Sequence, residues 1–329
     1  EITCRDWSSD VCSSDLLMGT LTDGDVRRCL LGGGGLDTIV AKAMNPAPVT
    51  AAWDSSDGCK LDLMRRANVM ALPVVDVSGK FIKLVHLTDI APGDELVHGA
   101  AGFSFAVIMA GGEGMRLRPL TEKTPKPMVE IGGVPLIQRQ IERLLRVGIG
   151  RIYIAVNYLS HVIEEHFGDG SDFGLEIHYL REHEKLGTAG ALSLLPERPV
   201  APILVMNGDI LTTFDFGSLY DFHISHKAEV TVAAVDYRVN IPYGVIRADG
   251  PYVAELTEKP SQRFLCNAGI YAISPAALDF LPQGSRWNMT DMVESCIAAN
   301  RSVAVFPIHE YWSDIGTPED LNKARALFR

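Results

Sequence analysis

The sequence is short of the features that membrane, disulfide and nucleic-acid proteins depend on. No apolar run approaches the roughly 20 residues that cross a bilayer, and no stretch resembles a secretory signal. Six cysteines (Cys4, Cys12, Cys29, Cys59, Cys266 and Cys296) are scattered, with no C-x-x-C pair. That pattern fits free thiols in a reducing compartment better than disulfides or zinc, and predicts a cytoplasmic protein. Positive charge is also scarce: 30 Lys and Arg face 41 Asp and Glu, a net charge of −11. A nucleic-acid or anionic-membrane partner is therefore disfavoured. His161, His166, His178, His183, His223 and His226 show no metal-ligand spacing and receive no chemistry. Hexapeptide repeats are missing as well, which argues against a left-handed β-helix within these residues.

What is present is an ordinary globular composition. The 329 residues are 47% hydrophobic and 22% charged, enough for about two domains. The first stretch, "EITCRDWSSDVCSSDL" (1–16), has no hydrophobic period. It resembles the in-frame translation of a sequencing-library adapter, so it is set aside from fold reasoning. Residues 17–95 then hold two related pieces, "LMGTLTDGDVRRCLLGG" and "ALPVVDVSGKFIKLVHLTDI". Each has an apolar, strand-like run ending in Thr-Asp (Thr22-Asp23 and Thr88-Asp89), where a helix is expected to begin. Between them "SSDGCKLDLMRRANVMA" has apolar residues at helical spacing. The region resembles a pair of CBS modules of which only the tail of the first remains. In that family the Thr-Asp contacts ribose and phosphate of an adenine nucleotide. The resemblance is incomplete, because Lys83 stands where a glycine is usual before the last strand. A dimerising module without a ligand is the alternative.

Residues 96–102, in the turn-rich "APGDELVHGAAG", read as a linker. From Phe103 onward strands alternate with helices. "FAVIMA", "RIYIAVN", "APILVMNGD", "EVTVAAVDY" and "NAGIYAIS" read as strands, and "LIQRQIERLLRVG" as an amphipathic helix closed by Gly148. A final helix starts at "GTPEDLNKA", with Thr317 as N-cap, Pro318 in the first turn and Asp320 three residues on. The alternation predicts an α/β fold with a three-layer, mostly parallel, Rossmann-like sheet over residues 103–329. Ligands on such sheets sit beyond the strand C-termini, where "MAGGEGMRLRPLTEKTPKPM" (109–128) falls. Its glycines let main-chain N–H groups approach an anion, and Arg116 and Lys126 add charge, so polyphosphate is the expected ligand. The loop is neither a Walker A loop, which ends Gly-Lys-Ser/Thr, nor a dinucleotide fingerprint, which needs glycine at Leu117.

"GGEGMRLRPLTEKTPKPM" resembles the G-G-x-G-x-R-L-x-P-L-T-x-x-x-P-K-P loop of sugar-1-phosphate nucleotidyltransferases, and the resemblance extends through nearly all of 103–329. It implies that Gly111, Gly112, Gly114 and Arg116 bind the nucleoside triphosphate and that Lys126 neutralises phosphate charge during transfer. Arg118 and Lys123 read as solvated surface charges. Asp209 in "VMNGDIL" and Asp314 in "YWSDIGTPED" match the family's two metal aspartates, and Mg²⁺ prefers such oxygen ligands. "REHEKLGTAGAL" resembles the nucleobase segment, so Leu186, Gly187 and Thr188 line the base pocket; a helix start capped by Thr188 is the plainer reading. A glutamate before Leu186, either Glu182 or Glu184, resembles guanylyltransferases more than their thymidylyl and uridylyl counterparts. In "LTEKP", Glu258 corresponds to a contact with sugar hydroxyls and Lys259 to the grip on the sugar phosphate. Asn267 and Gly269 of "NAGIYAIS" fall at the sugar pocket.

The expected reaction joins an NTP, GTP favoured, to a sugar 1-phosphate, giving an NDP-sugar and pyrophosphate. A hexosamine 1-phosphate leads among the acceptors. Two alternatives stay open: an inactive CBS-regulated sensor, and transfer to a non-sugar phosphate such as phosphocholine. A homo-oligomer is equally open.

Overall fold

The computed structural model describes residues 8–13, 16–67, 69, 71–90, 102–282 and 284–328. The chain divides into two compact units, Glu1–His98 and Gly99–Arg329. Most of the expected linker lies outside the described residues.

In the first unit β1 (Ser8–Ser13) pairs antiparallel with β2 (Leu16–Thr22). Part of the stretch set aside on sequence grounds, Ser8–Ser13 and Leu16, thus lies in a ladder, which needs backbone groups rather than an apolar period. Helix α1 (Asp23–Leu31) begins where the Thr-Asp rule puts it. Thr22 caps it through a capping box: its hydroxyl accepts from Asp25 N–H, and Asp25 Oδ2 accepts from Thr22 N–H at 2.9 Å. Asp23 is held by Arg27 at 2.6 Å. Beyond β3 (Ala51–Ala52) come α2 (Asp57–Ala67), β4 (Ala71–Val75) and β5 (Phe81–His86), with β4 central in a three-stranded sheet. Met64 from α2 packs with Leu72, Val74 and Val85 to make a small core. The second Thr-Asp lies in a one-turn helix, Leu87–Ile90, where Asp89 Oδ2 accepts from His86 N–H.

The second unit is built on seven strands: β6 (Ala106–Met109), β7 (Arg151–Val156), β8 (Glu176–Arg181), β9 (Ile203–Asn207), β11 (Val230–Asn240), β14 (Ser261–Ile273) and β15 (Val303–Ile308). Short strand β10 (Ile210–Thr212) and hairpin strands β12 (Val245–Asp249) and β13 (Tyr252–Thr257) lie between them in sequence. The sheet order is β8-β7-β6-β9-β14-β11-β15. Strand β14 runs against both neighbours, and the other ladders are parallel. Both faces are covered, as a parallel sheet requires. Alternate residues show it: Ala106 and Ile108, Ile152 and Ile154, and Leu204 and Met206 face one core, with Ile137, Ile141 and Leu144 of α3 (Leu136–Arg146) and Ile163 of α4 (Ser160–Phe167). That core also takes Phe216 and Leu219 of α5 (Phe216–Ser225). Val107, Tyr153 and Val205 face the other core, with Met289, Met292 and Cys296 of α6 (Met289–Ala298). This is the expected three-layer arrangement.

Helix α3 ends as the sequence indicates. Gly148 has φ 81°, and its N–H and that of Ile149 donate to Leu145 and Leu144. Helix α7 (Pro318–Leu327) carries the full capping box of Thr317 and Asp320. Among the described residues no helix is long and apolar enough to cross a membrane, and Cys29, Cys59, Cys266 and Cys296 are free thiols.

His223, one of the histidines given no chemistry, is a buried structural bridge. Its Nδ1 lies 2.8 Å from Thr231 Oγ1 and its Nε2 2.9 Å from Ser274 Oγ. Burial pushes its pKa down to about 4 from 6.5. The unfolded chain therefore binds a proton that the fold refuses, and stability present above pH 6.5 is lost as pH falls toward 4. The loss is expected to approach about 3 kcal/mol at its full extent. Urea unfolding at pH 7 and pH 5 checks this: His223→Gln should show a flatter pH dependence than the wild type.

Candidate functional site

The parallel strands deliver their functional residues at their C-terminal ends. The glycine loop follows β6, Asn157 follows β7, Glu182 follows β8, and Asp209 follows β9. The loop needs its glycines for distinct reasons. Gly112 is exposed and a Cβ there would meet nothing within 4 Å, so its backbone is open to a ligand. Gly114 has φ 61°, and a Cβ would fall 2.9 Å from Lys126 Cβ and 3.0 Å from Thr121 Cγ2. Its carbonyl accepts from Thr121 Oγ1 at 2.8 Å and from Leu117 N–H, which folds the loop back onto Lys126. Gly111 is pressed against Asn157 and Glu182, each 3.3 Å from the position of a Cβ.

Lys126 is the centre of the arrangement. It lies in a one-turn 3₁₀ helix, Lys126–Met128, between Pro125 and Pro127, and is 8% exposed. Its Nζ donates to Asp209 Oδ2 and lies 3.4 Å from Asp314 Oδ1. The two aspartates, distant in sequence, meet because β10 pairs antiparallel with β16 (Trp312–Asp314) and Ile315 N–H donates to Asp209 O at 2.9 Å. Burial, and then the Asp209 carboxylate, push the Asp314 carboxyl above its usual range, against the pull of Lys126 and Arg116. Arg116 lies across Gly316 beside Asp314: its Nη2 is 3.3 Å from where a Gly316 Cβ would sit. A side chain at 316 would displace the guanidinium.

Two residues not foreseen in the sequence hold this loop in place. Gln140 on α3 is buried and donates through Nε2 to Asn207 O at 3.1 Å and Ile210 O at 2.6 Å. One turn along, Arg143 donates to the carbonyls of Thr213 and Phe214. Together they fix both ends of the segment carrying Asp209. The available signal was Gln140 itself, a polar residue within the Ile137–Ile141–Leu144 apolar stripe.

The expected base pocket is stitched to the start of α6. Leu186 is buried, and its N–H donates to Glu182 Oε2 at 3.0 Å. Burial raises the Glu182 carboxyl above its usual range. Glu182 therefore faces the glycine loop, whereas Glu184 is exposed. Gly187 has φ 78°, and a Cβ there would lie 2.5 Å from Trp287 O. Thr188 does not cap its own short helix, whose N-cap Leu186 makes no side-chain bond. Its hydroxyl instead accepts from Met289 N–H at 3.0 Å, helping to start α6. The cap reading is corrected because the N–H groups of Ala189 and Gly190 already donate to Trp287 O, while Met289 N–H reaches the Thr188 hydroxyl.

On the opposite side, Asn267 is occupied within the protein. Its Nδ2 donates to Tyr271 Oη at 2.7 Å and its Oδ1 accepts from Gly269 N–H at 2.9 Å. Gly269 has φ 68° and closely faces Asn207 Nδ2, only 2.5 Å from a would-be Cβ. Glu258 and Lys259 are exposed, with Lys259 at φ 44°. Arg118 and Lys123 are exposed, as expected of surface charges. The structure thus gathers Arg116, Lys126, Asp209 and Asp314 and leaves Glu258 and Lys259 on an outlying turn.

The donor set fits a small hard cation: two carboxylates, Asp209 on the turn before β10 and Asp314 at the end of β16, share one positive charge, and Mg²⁺ needs only one or two such ligands beside substrate phosphates. Chemically, the cluster can receive a polyphosphate on bare backbone and neutralise it from two sides.

The family comparison agrees with this geometry. Residues 105–328 match the nucleotidyl transferase family. The chain is similar to the mannose-1-phosphate guanylyltransferase of Mycobacterium tuberculosis, 36% identical over 230 residues that cover 67% of this chain and 63% of that protein. It is similar also to the mannose-1-phosphate guanyltransferase of Yarrowia lipolytica, 34% identical over 68% of this chain and 63% of that one. The match therefore spans less than two thirds of these relatives' length. Among solved structures, HddC from Yersinia pseudotuberculosis complexed with GMP-PN superposes with a TM-score of 0.53 at 26% identity, covering 68% of this chain and 99% of that one.

Proposed function

This chain belongs to the nucleotidyl transferase family, and on that premise we propose that it transfers the guanylyl group of GTP to a sugar 1-phosphate, releasing pyrophosphate. The observation that carries the reading is Lys126 Nζ held between Asp209 and Asp314, with Arg116 beside them and bare glycine backbone next to it. A phosphate oxygen of the sugar attacks the α-phosphorus, and the bond from that phosphorus to the β-phosphate oxygen breaks in line. The nucleophile is ionised at neutral pH, so no general base is required. The barrier is the approach of anions, and the remedy is positioning with countercharge.

In this scheme the glycine loop and Arg116 bind the triphosphate, and Lys126 counters charge at the reacting centre. Asp209 and Asp314 would hold Mg²⁺, which when bound supplies further countercharge to the phosphates. Lys259 would orient the attacking phosphate, with Glu258, Asn267 and Gly269 on the sugar side. The full set of charged groups favours an enzyme over a silent sensor.

Guanine is favoured because Glu182 offers a carboxylate beside the glycine loop, and guanine carries adjacent N–H donors on one edge. Glu182→Gln is expected to raise KM for GTP roughly tenfold or more, the scale of a charge-assisted hydrogen bond. Steady-state kinetics with GTP and ATP check it, the GTP preference falling. Mannose 1-phosphate leads the acceptors on the relatives' names, ahead of hexosamine 1-phosphates. The test crosses GTP, UTP, CTP, ATP and dTTP with glucose, mannose and glucosamine 1-phosphates, and phosphocholine, following pyrophosphate release with Mg²⁺. Release with GTP and one sugar supports the proposal; nucleotide binding without release from any pair overturns it.

For the first unit we propose a CBS-type regulatory module that binds an adenine nucleotide near Thr22 and Asp23. Calorimetry with AMP and ATP tests it, and the absence of heat from either would leave a purely structural role.

A further inference from the structure

Glu113 is an unexpected residue in a loop that receives an anion. It stands between Gly112, whose backbone is open to a ligand, and Gly114, whose φ of 61° turns the chain. A carboxylate there meets an incoming phosphate with like charge. The loop's own fold is secured elsewhere, by the bonds of Thr121 and Leu117 to the Gly114 carbonyl. The partner of Glu113 comes from the other side of the site, where Lys185 Nζ donates to Glu113 Oε1. Glu113 lies four residues past the end of β6 at Met109, and Lys185 four past the end of β8 at Arg181. Strand β7 separates β6 from β8, so the pair bridges two loops that are not neighbours in the sheet. Nearer the sheet the same two loops meet at Gly111, where a Cβ would fall 3.3 Å from Glu182 Oε1.

As a support for the fold this pair is weak. The Lys185 side chain is 66% exposed and that of Glu113 29%, and exposed ion pairs are screened by water and salt. Its significance lies in what it spans. Lys185 directly precedes Leu186, Gly187 and Thr188, the segment expected to line the base pocket, and its ammonium ends at the glycine loop expected to hold the phosphates. A nucleoside triphosphate must join those two places. The lysine side chain therefore runs along the path that the ligand takes. The hydrogen bond and the charge of Lys185 hold the Glu113 carboxyl below its usual range, so it is ionised at neutral pH.

We propose that Lys185 is a further phosphate-binding residue of the nucleotide site, and that Glu113 occupies its ammonium until the triphosphate arrives. This rests on the function proposed above. A carboxylate and a phosphate oxygen offer an ammonium the same kind of acceptor, and the triphosphate carries more charge. The exchange breaks one exposed ion pair and forms a charge-assisted bond to phosphate. Glu113 is thus a resident competitor for the ligand, and Lys185 adds countercharge on the side of the loop away from Lys126, Asp209 and Asp314, beside the base segment.

Calorimetric titration of the full chain with GTP and with guanosine, in the absence of any sugar phosphate, tests the assignment. Lys185→Met is expected to raise the dissociation constant for GTP about tenfold, the scale of a charge-assisted hydrogen bond, and to leave that for guanosine within about twofold. Glu113→Gln frees the ammonium and is expected to tighten GTP about threefold, the scale of an exposed ion pair. Lys185→Arg keeps the charge and should restore GTP binding to within about threefold of wild type, which separates lost charge from a disturbed loop. A pair that only straps the loops together predicts the opposite sign for Glu113→Gln. GTP held equally by wild type and Lys185→Met, or weakened by Glu113→Gln as much as by Lys185→Met, overturns the assignment and leaves the nucleotide site in place. A wild type that binds no nucleotide removes the proposed function and this assignment with it. The expected binding pattern without transfer to any acceptor upholds Lys185 and removes the proposed activity instead.

Discussion

Lys126→Ala is expected to lower kcat for pyrophosphate release at least about 10²-fold, the cost of losing one preorganised electrostatic group at a reacting centre. Three features make this side chain hard to replace. It is almost fully buried, its backbone is held between two prolines, and its ammonium is the cation shared by Asp209 and Asp314. Losing it leaves the Asp209 and Asp314 carboxylates without their shared ammonium, so the site meets an incoming triphosphate with less countercharge. KM for GTP should rise as well, because part of this countercharge acts before the transition state. Stopped-time assays of pyrophosphate at saturating substrate, with circular dichroism to verify folding, measure the effect. Turnover within threefold of wild type would remove Lys126 from the mechanism.

Asp209→Asn should produce a loss of similar size by a different route. The shape is nearly conserved and the neighbouring bond from Ile315 N–H to the Asp209 carbonyl is untouched, since it uses the backbone. What changes is one negative charge and one oxygen donor. Lys126 then loses its nearer carboxylate, and the proposed Mg²⁺ site keeps only Asp314. The expected signature is a kcat lowered at least about 10²-fold together with an increased requirement for Mg²⁺, consistent with a metal that neutralises phosphate charge. Lys126→Ala retains both carboxylates and should not raise the Mg²⁺ requirement in the same way. A Mg²⁺ titration of both variants separates the roles, and identical Mg²⁺ curves for wild type and Asp209→Asn would argue against a metal at this position.

Parts of the site were readable because local chemistry alone specifies them. The loop from Gly111 to Lys126 announces anion binding through residue type, and glycine and lysine need no distant partner to suggest it. The start of α7 was equally legible: Thr317, Pro318 and Asp320 satisfy a helix N-terminus within four residues. The end of α3 at Gly148 follows from the left-handed conformation that glycine adopts without strain. Other features lay beyond any local rule. Thr188 stands at a place suited to capping its own helix, yet its hydroxyl accepts from Met289, 101 residues away. Gln140 stands out as a polar residue in an apolar stripe, yet its partners, the carbonyls of Asn207 and Ile210, lie 67 and 70 residues away.

The sequence by itself determined the alternating α/β order, the anion-binding loop and the residue types that a phosphate site requires. These depend on periodicity, capping and backbone freedom, all of which act within a few residues. Only the tertiary structure decided that Lys126 joins Asp209 and Asp314, which lie 83 and 188 residues further along the chain. It also decided that Glu182, not Glu184, faces the glycine loop. Each of these is a matter of which strands pair and in what register. Strand pairing is set by the packing of the whole sheet between two cores, and no short stretch of sequence contains it.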